Sequence, residues 1–189
     1  MKNIRVAVAG LGRIGKIHLD NLCRKVTGVE VVTVMDVLDD SAQIAAEYGI
    51  SRVLNNFNDL IAIKEIDAVM ICSPTDLHAD HVILAARAGK HIFCEKPLDL
   101  SLERVEEVLR VVEECGVKLM LGFNRRFDPD FKKIRDMVVS DAVGDPHIIK
   151  ITSRDPGPPP ISYIKVSGGM FLDMASMISI WPGIYQVRR

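Results

Sequence analysis

A chain of 189 residues is long enough for one generous domain, or for one domain and part of a second. With 48% hydrophobic and 26% charged residues, its balance is that of a soluble globular protein. A formal net charge of -1 gives no field to draw nucleic acid or an anionic membrane, so neither is expected as a partner.

The first two-thirds alternates strand and helix patterns. Ile4 to Ala9 is a short apolar run ending in glycine, the mark of a buried parallel strand. It is too short for a signal peptide, and Arg13 and Lys16 follow at once. A helix is predicted from Arg13 to Arg24. Val29 to Met35 is rich in β-branched residues and reads as a second strand. Ser41 to Tyr48 reads as a helix with Asp40 as its N-cap. A weak strand at Arg52–Leu54 and a short helix near Leu60 come next. Ile66 to Cys72 is the fourth strand, broken by Pro74. Asp76 to Ala88 is a helix stopped by Gly89, and His91 to Cys94 is the fifth strand. Ser101 caps a helix that runs to Cys115, with Gly116 just past its end. Val117 to Leu121 is the sixth strand. Such alternation predicts a doubly wound parallel sheet covered on both faces, a Rossmann-type α/β domain over residues 1–122.

After Gly122 the pattern changes. A helix is predicted over Asp128–Val139 and a strand over His147–Thr152. The loop Asp155-Pro156-Gly157-Pro158-Pro159-Pro160 that follows cannot join a helix. Residues 123–189 therefore read as the start of a truncated α+β second domain. No segment is long and apolar enough to span a bilayer, so the expected location is the cytoplasm. Cys23, Cys72, Cys94 and Cys115 include no C-x-x-C pair. They read as buried thiols rather than as a disulfide or metal set, and no metal is expected.

The chemistry gathers at three strand ends. Gly10-Leu11-Gly12-Arg13-Ile14-Gly15 follows the first strand and opens the first helix. Gly10 permits the tight turn, Gly12 lets the backbone approach a pyrophosphate, and Gly15 lets helix and strand pack closely. The helix N-terminus, with Arg13 and Ile14, offers N–H groups to the phosphates. Asp36 ends the second strand, where a carboxylate can take the ribose hydroxyls and repel a 2′-phosphate, so the cofactor expected is NAD rather than NADP. The bland alternative is a tight strand–helix turn with a surface Asp36. Ser73, Thr75 and His78 follow the fourth strand and are candidates to face the cofactor. A Pro-broken turn with His78 on a solvated face fits the same residues. Glu95-Lys96-Pro97 follows the fifth strand at the same edge, where the Lys96 ammonium can hydrogen-bond a substrate hydroxyl and stabilise a developing alkoxide. A solvated turn lysine is the competing reading.

Taken with Ala88-Gly89-Lys90-His91, with Gly122-Phe123-Asn124-Arg125-Arg126-Phe127-Asp128 and with Gly168-Gly169-Met170-Phe171-Leu172-Asp173-Met174, these motifs make the chain resemble the glucose–fructose oxidoreductase/inositol dehydrogenase (Gfo/Idh/MocA) family, up to about Met174. Within that family Asn124–Phe127 and Thr152–Pro156 most resemble inositol 2-dehydrogenases. The resemblance implies NAD-dependent oxidation of a secondary hydroxyl on a cyclic polyol such as myo-inositol. It assigns Lys96 and Asp173 to catalysis, makes the bond to Pro97 one that is often cis, and puts Arg125 or Arg126 in the cofactor–substrate cleft. It also implies a homo-oligomer, an assembly doubtful here because the family makes it through the sheet of the second domain.

The resemblance breaks after Met174. The family's proton-accepting histidine falls at Met177, and a thioether accepts no proton at neutral pH. Read in a shifted frame, Met177-Ile178 forces an Asp codon and Trp181-Pro182 an Ala codon. The remaining positions accommodate the family's continuation, Ile-His-Asp-Phe-Asp-Met-Ala-Arg-Tyr-Leu, from position 176. Residues 175–189 are therefore read as a frameshifted tail, with a divergent natural tail as the alternative. Nucleotide sequence incompatible with that readout ends the frameshift idea. Two functions follow: a polyol dehydrogenase, its activity impaired in this chain, or an NAD-binding fragment without turnover. A redox regulator would need an effector segment, and none is visible.

Overall fold

A computed structural model describes residues 3–148, 150, 152, 154, 157, 158, 161–164, 168 and 169. The chain divides into two compact units, Met1–Gly122 and Phe123–Arg189.

The first unit is a six-stranded, all-parallel sheet. Its strands are β1 (Ile4–Ala9), β2 (Val29–Met35), β3 (Val53–Leu54), β4 (Ala68–Ile71), β5 (His91–Cys94) and β6 (Leu119–Leu121), in the order β3-β2-β1-β4-β5-β6. Its helices are α1 (Arg13–Arg24), α2 (Ser41–Ala46), α3 (Phe57–Ile61), α4 (His78–Arg87) and α5 (Leu102–Cys115). Alternation along the strands divides the core in two. Ala7, Ala9, Val69 and Ile71 join one cluster with Leu60, Val82 and Val108 of α3, α4 and α5. Val8 and Val34 join the other with Leu19 of α1 and Ala45 of α2. The strand order turns back between β1 and β4, so the crevice at their carboxyl ends is where a ligand can enter such a sheet.

The sequence signals at helix ends are mostly used. Ser101 accepts from the Arg104 N–H at the start of α5, and Gly116 closes that helix at φ 65°, in left-handed space. Three expectations need correction. Asp40 occupies the cap position of α2, but its side chain makes no cap bond and instead lies 3.6 Å from Lys16 Nζ. The fourth strand starts at Ala68, because the Ile66 carbonyl turns away to accept from the buried Lys90 Nζ at 2.8 Å. A 3₁₀ turn, Thr75–Leu77, separates Pro74 from α4.

The cysteines need correcting too. Cys72 and Cys94 are buried, but Cys23 and Cys115 are exposed; all four are free thiols. Burial pushes the Cys72 thiol up to about 12, helped by the Glu95 charge, and raises Cys94 as well, so both stay protonated.

In the second unit Asn124–Phe127 forms a 3₁₀ turn and α6 spans Pro129–Val139. Asp128 caps α6 by accepting from the Asp130 and Phe131 N–H groups. A short helix, α7, follows at Ile161–Ile164. The strand expected over His147–Thr152 is not formed by the described residues of that stretch. A lone strand has no partner for its N–H and C=O groups, and none of the described residues of this unit supplies one. Asp173, Met177 and the tail 175–189 lie outside the described residues. No helix among the described residues is long and apolar enough to cross a membrane.

Candidate functional site

The glycine loop sits at the carboxyl end of β1. Gly10 has φ 97°, and a Cβ there would lie 2.4 Å from the Cys72 carbonyl oxygen. A Cβ on Gly15 would lie 1.9 Å from the Gly10 carbonyl oxygen. Both glycines are therefore demanded by the fold itself. Gly12 differs: it is exposed, it has φ -62°, and a Cβ there would meet nothing within 4 Å. Among the described residues, nothing packed around it requires a glycine at that point.

Gly12 is also the N-cap of α1, and no side chain caps this helix. Asn56, Ser101 and Asp128 cap α3, α5 and α6, while α2 and α4, like α1, have no side-chain cap. The first N–H groups of a helix lack intrahelical partners, so an uncapped exposed N-terminus suits an anion. Arg13 is exposed and Ile14 half-buried in its first turn.

Asp36 stands just past β2. Its carboxylate accepts from the Leu11 N–H of the glycine loop and, at 3.0 Å, from the Leu38 N–H. A carboxylate has about four acceptor positions, so two remain for hydroxyl groups. An open pocket of about 350 Å³ adjoins it, lined by Val37, Leu38, Ser41 and Asn55 among others. Val37 is 79% exposed and Leu38 46%. Two open apolar side chains beside an acid suit the flat base and the diol of an adenosine.

The β4 and β5 ends carry the remaining candidates. Ser73 and Thr75 are half-buried at the switch point. His78 is only 2% exposed, so it does not lie on a solvated face. Its Nε2 lies 2.8 Å from the Ser73 carbonyl oxygen and its Nδ1 2.7 Å from the Pro97 carbonyl oxygen. It ties the loop after β4 to the loop after β5. Carbonyls only accept, so a neutral ring serves one of them at a time and a doubly protonated ring both. The Ser73 hydroxyl meets His81 Nδ1 at 3.0 Å, and the His81 ring stacks on Phe57 at 3.9 Å.

Burial lowers the pKa of His81 to about 4, as does the His78 charge, against the pull of Asp80 and Asp76. The sign follows from the unfolded chain, where a histidine titrates near 6.5. The stability owed to neutral His81 is complete above that value and is lost as pH falls through it toward 4, because only the unfolded state takes the proton. Between pH 7 and 5 His81→Gln should therefore lose less stability than the parent, by about 2 kcal/mol in urea unfolding. Equal losses would refute it.

Glu95, Lys96 and Pro97 follow β5, and the Lys96–Pro97 peptide is cis. Lys96 is half-buried. The Glu95 carboxylate accepts from the Lys96 N–H at 3.2 Å and pairs with His18 Nε2 at 2.7 Å. His18 is a candidate site residue that the sequence reading missed. Its signal was its place three residues after Gly15, one turn along the same helix face. Gly122, buried at the end of β6, is packed against this carboxyl group: a Cβ there would lie 3.0 Å from it. In the second unit the Arg125 guanidinium lies 5.2 Å over the Phe131 ring, and Arg126 is exposed.

A family model described as "Oxidoreductase family, NAD-binding Rossmann fold" matches residues 4–123. The chain belongs to this Gfo/Idh/MocA oxidoreductase family. It is 44% identical over 172 residues to myo-inositol 2-dehydrogenase of Thermotoga maritima, covering 90% of this chain and 51% of that protein. It is 46% identical over 175 residues to inositol 2-dehydrogenase of Rhizobium meliloti, again covering 90% and 51%. Among solved structures, scyllo-inositol dehydrogenase from Lactobacillus casei with bound NAD(H) and scyllo-inositol matches at TM-score 0.86 and 32% identity, covering 97% of this chain and 56% of that one. The chain thus spans about half the length of the curated relatives it matches.

Proposed function

We propose that this chain is the cofactor-holding part of an NAD-dependent dehydrogenase that oxidises a secondary hydroxyl of a cyclic polyol such as myo-inositol to a ketone. The observation that carries the cofactor reading is Gly12, a glycine with no internal reason, at an uncapped helix N-terminus on the edge where Asp36 adjoins an open pocket. The choice of substrate rests on the likeness to inositol dehydrogenases.

When bound, NAD supplies the acceptor for the hydride that leaves the alcohol carbon. The first turn of α1 holds the pyrophosphate and Asp36 the adenosine diol. Ser73 and Thr75 border the cleft, and Lys96 holds the substrate hydroxyl and steadies its oxygen as negative charge develops. The family resemblance assigns Asp173 to the substrate as well. Arg125 keeps the cofactor role that the family resemblance assigns it, and Glu95 supports the cofactor side through Lys96.

Calorimetric titration with NAD, followed on the same sample by NADH absorbance with myo-inositol, tests this. Binding with impaired turnover is expected. Binding without turnover supports the second reading, a fragment that holds NAD and oxidises nothing, which rests on Met177 at the position of the family's histidine. Absence of binding overturns both. A further expected result concerns cofactor choice. Asp36→Asn keeps an acceptor for the glycine loop but removes the charge. It should shift the ratio of NAD to NADP affinity toward NADP by roughly tenfold. Parallel Kd measurements check it, and an unchanged ratio removes Asp36 from the ribose site.

A further inference from the structure

We infer that His18 and Glu95 form a positioning bridge that registers Lys96 to the helix holding the cofactor pyrophosphate. The inference rests on the proposed role of Lys96 beside NAD.

His18 lies on α1, one turn beyond Gly15. Its Nε2 is 2.7 Å from Glu95 Oε1, and its ring meets Phe93 edge-on with centroids 5.1 Å apart. The side chains of His18 and Glu95 are only 20% and 15% exposed, so solvent competes weakly for the contact. The second carboxylate oxygen of Glu95 accepts the Lys96 N–H. Gly122 packs against the same carboxyl group, and a Cβ there would lie 3.0 Å from it, so the carboxyl group must give. On the other flank of Lys96, the Pro97 carbonyl is held by His78 of α4. The residue bearing the ammonium is thus tied before and after by separate helices. One of the two is the helix whose first turn faces the phosphates. A general acid–base group misplaced by about 1 Å can lose about 10²-fold in rate, which gives such a tie its value. His18 and Glu95 touch no reacting atom in this scheme; they act through Lys96.

Acylation of lysines by acetic anhydride at fixed pH, read peptide by peptide by mass spectrometry, tests the bridge without needing turnover. Lys132 serves as internal reference. Bound NAD should slow acylation of Lys96 about tenfold in the parent protein. His18→Leu removes the donor and keeps the bulk; NAD should still bind, but protection of Lys96 should fall to threefold or less. His18→Gln restores an N–H donor and should restore protection. Gly122→Ala reaches the same carboxylate without deleting a partner, and should also weaken protection. Full protection in both His18→Leu and Gly122→Ala overturns the bridge, as does failure of His18→Gln to restore it. If NAD binds the parent yet leaves Lys96 unprotected, it is the proposed role of Lys96 that falls, and the bridge with it.

Discussion

Gly12→Ala should leave the folded state within about 1 kcal/mol of the parent, the scale of an N-cap change, while NAD affinity falls on the order of 100-fold. Gly15→Ala should do the reverse first: it should destabilise the fold by roughly 3 kcal/mol, and binding should fail as a consequence. The contrast comes from what each new methyl would strike. At Gly15 it meets the Gly10 backbone, which cannot rotate away. At Gly12 it meets no protein atom, in a backbone conformation open to any residue. The obstacle would be a ligand seated on the helix N-terminus. Pushing phosphates away from N–H donors loses several charge-assisted hydrogen bonds of about 1.5–3 kcal/mol each, partly recovered by water. Urea unfolding and NAD calorimetry on the two variants decide it. If Gly12→Ala loses as much stability as Gly15→Ala, or keeps its affinity, the phosphate site is elsewhere.

The second large effect belongs to His78. Replacing it with Phe keeps the ring volume and leaves the Ser73 and Pro97 carbonyls without their donor. A polar group stranded in a part-buried place costs about 1–3 kcal/mol, so His78→Phe should lose roughly 3 kcal/mol in urea unfolding. NAD affinity should drop too, because two strand-end loops lose their cross-tie. His78→Gln can serve one carbonyl and should fall between. A variant as stable as the parent would show that the two contacts contribute nothing net.

Local signals explain why so much of the first unit could be read in advance. A strand such as Ile4–Ala9 declares itself by an unbroken apolar run, and the run's end at Gly10 locates the ligand edge. Ser101 and Gly116 mark α5 because a cap acts within a few residues of itself. What sequence could not give were pairings between distant residues. His18 and Glu95 are 77 positions apart, and His78 and Pro97 19 apart. No periodicity relates them. Cys23 and Cys115 were misjudged for a related reason: apolar neighbours in the chain do not say which face of a helix a residue takes. The described residues of His147–Thr152 form no strand: the composition was right, but composition supplies no neighbouring strand.

The two halves of the core are unequal. Among the described residues, nineteen buried ones cluster on the α3–α5 side of the sheet and six on the α1–α2 side. Local opening is cheapest where packing is thinnest, so amide exchange should be fastest in the layer that carries α1. That is the layer whose first turn faces the phosphates. A ligand bound there stabilises only the closed form, by an amount that grows with the logarithm of its concentration. Cofactor supply would thereby set how often that layer opens, since NAD would hold one of its two helices shut.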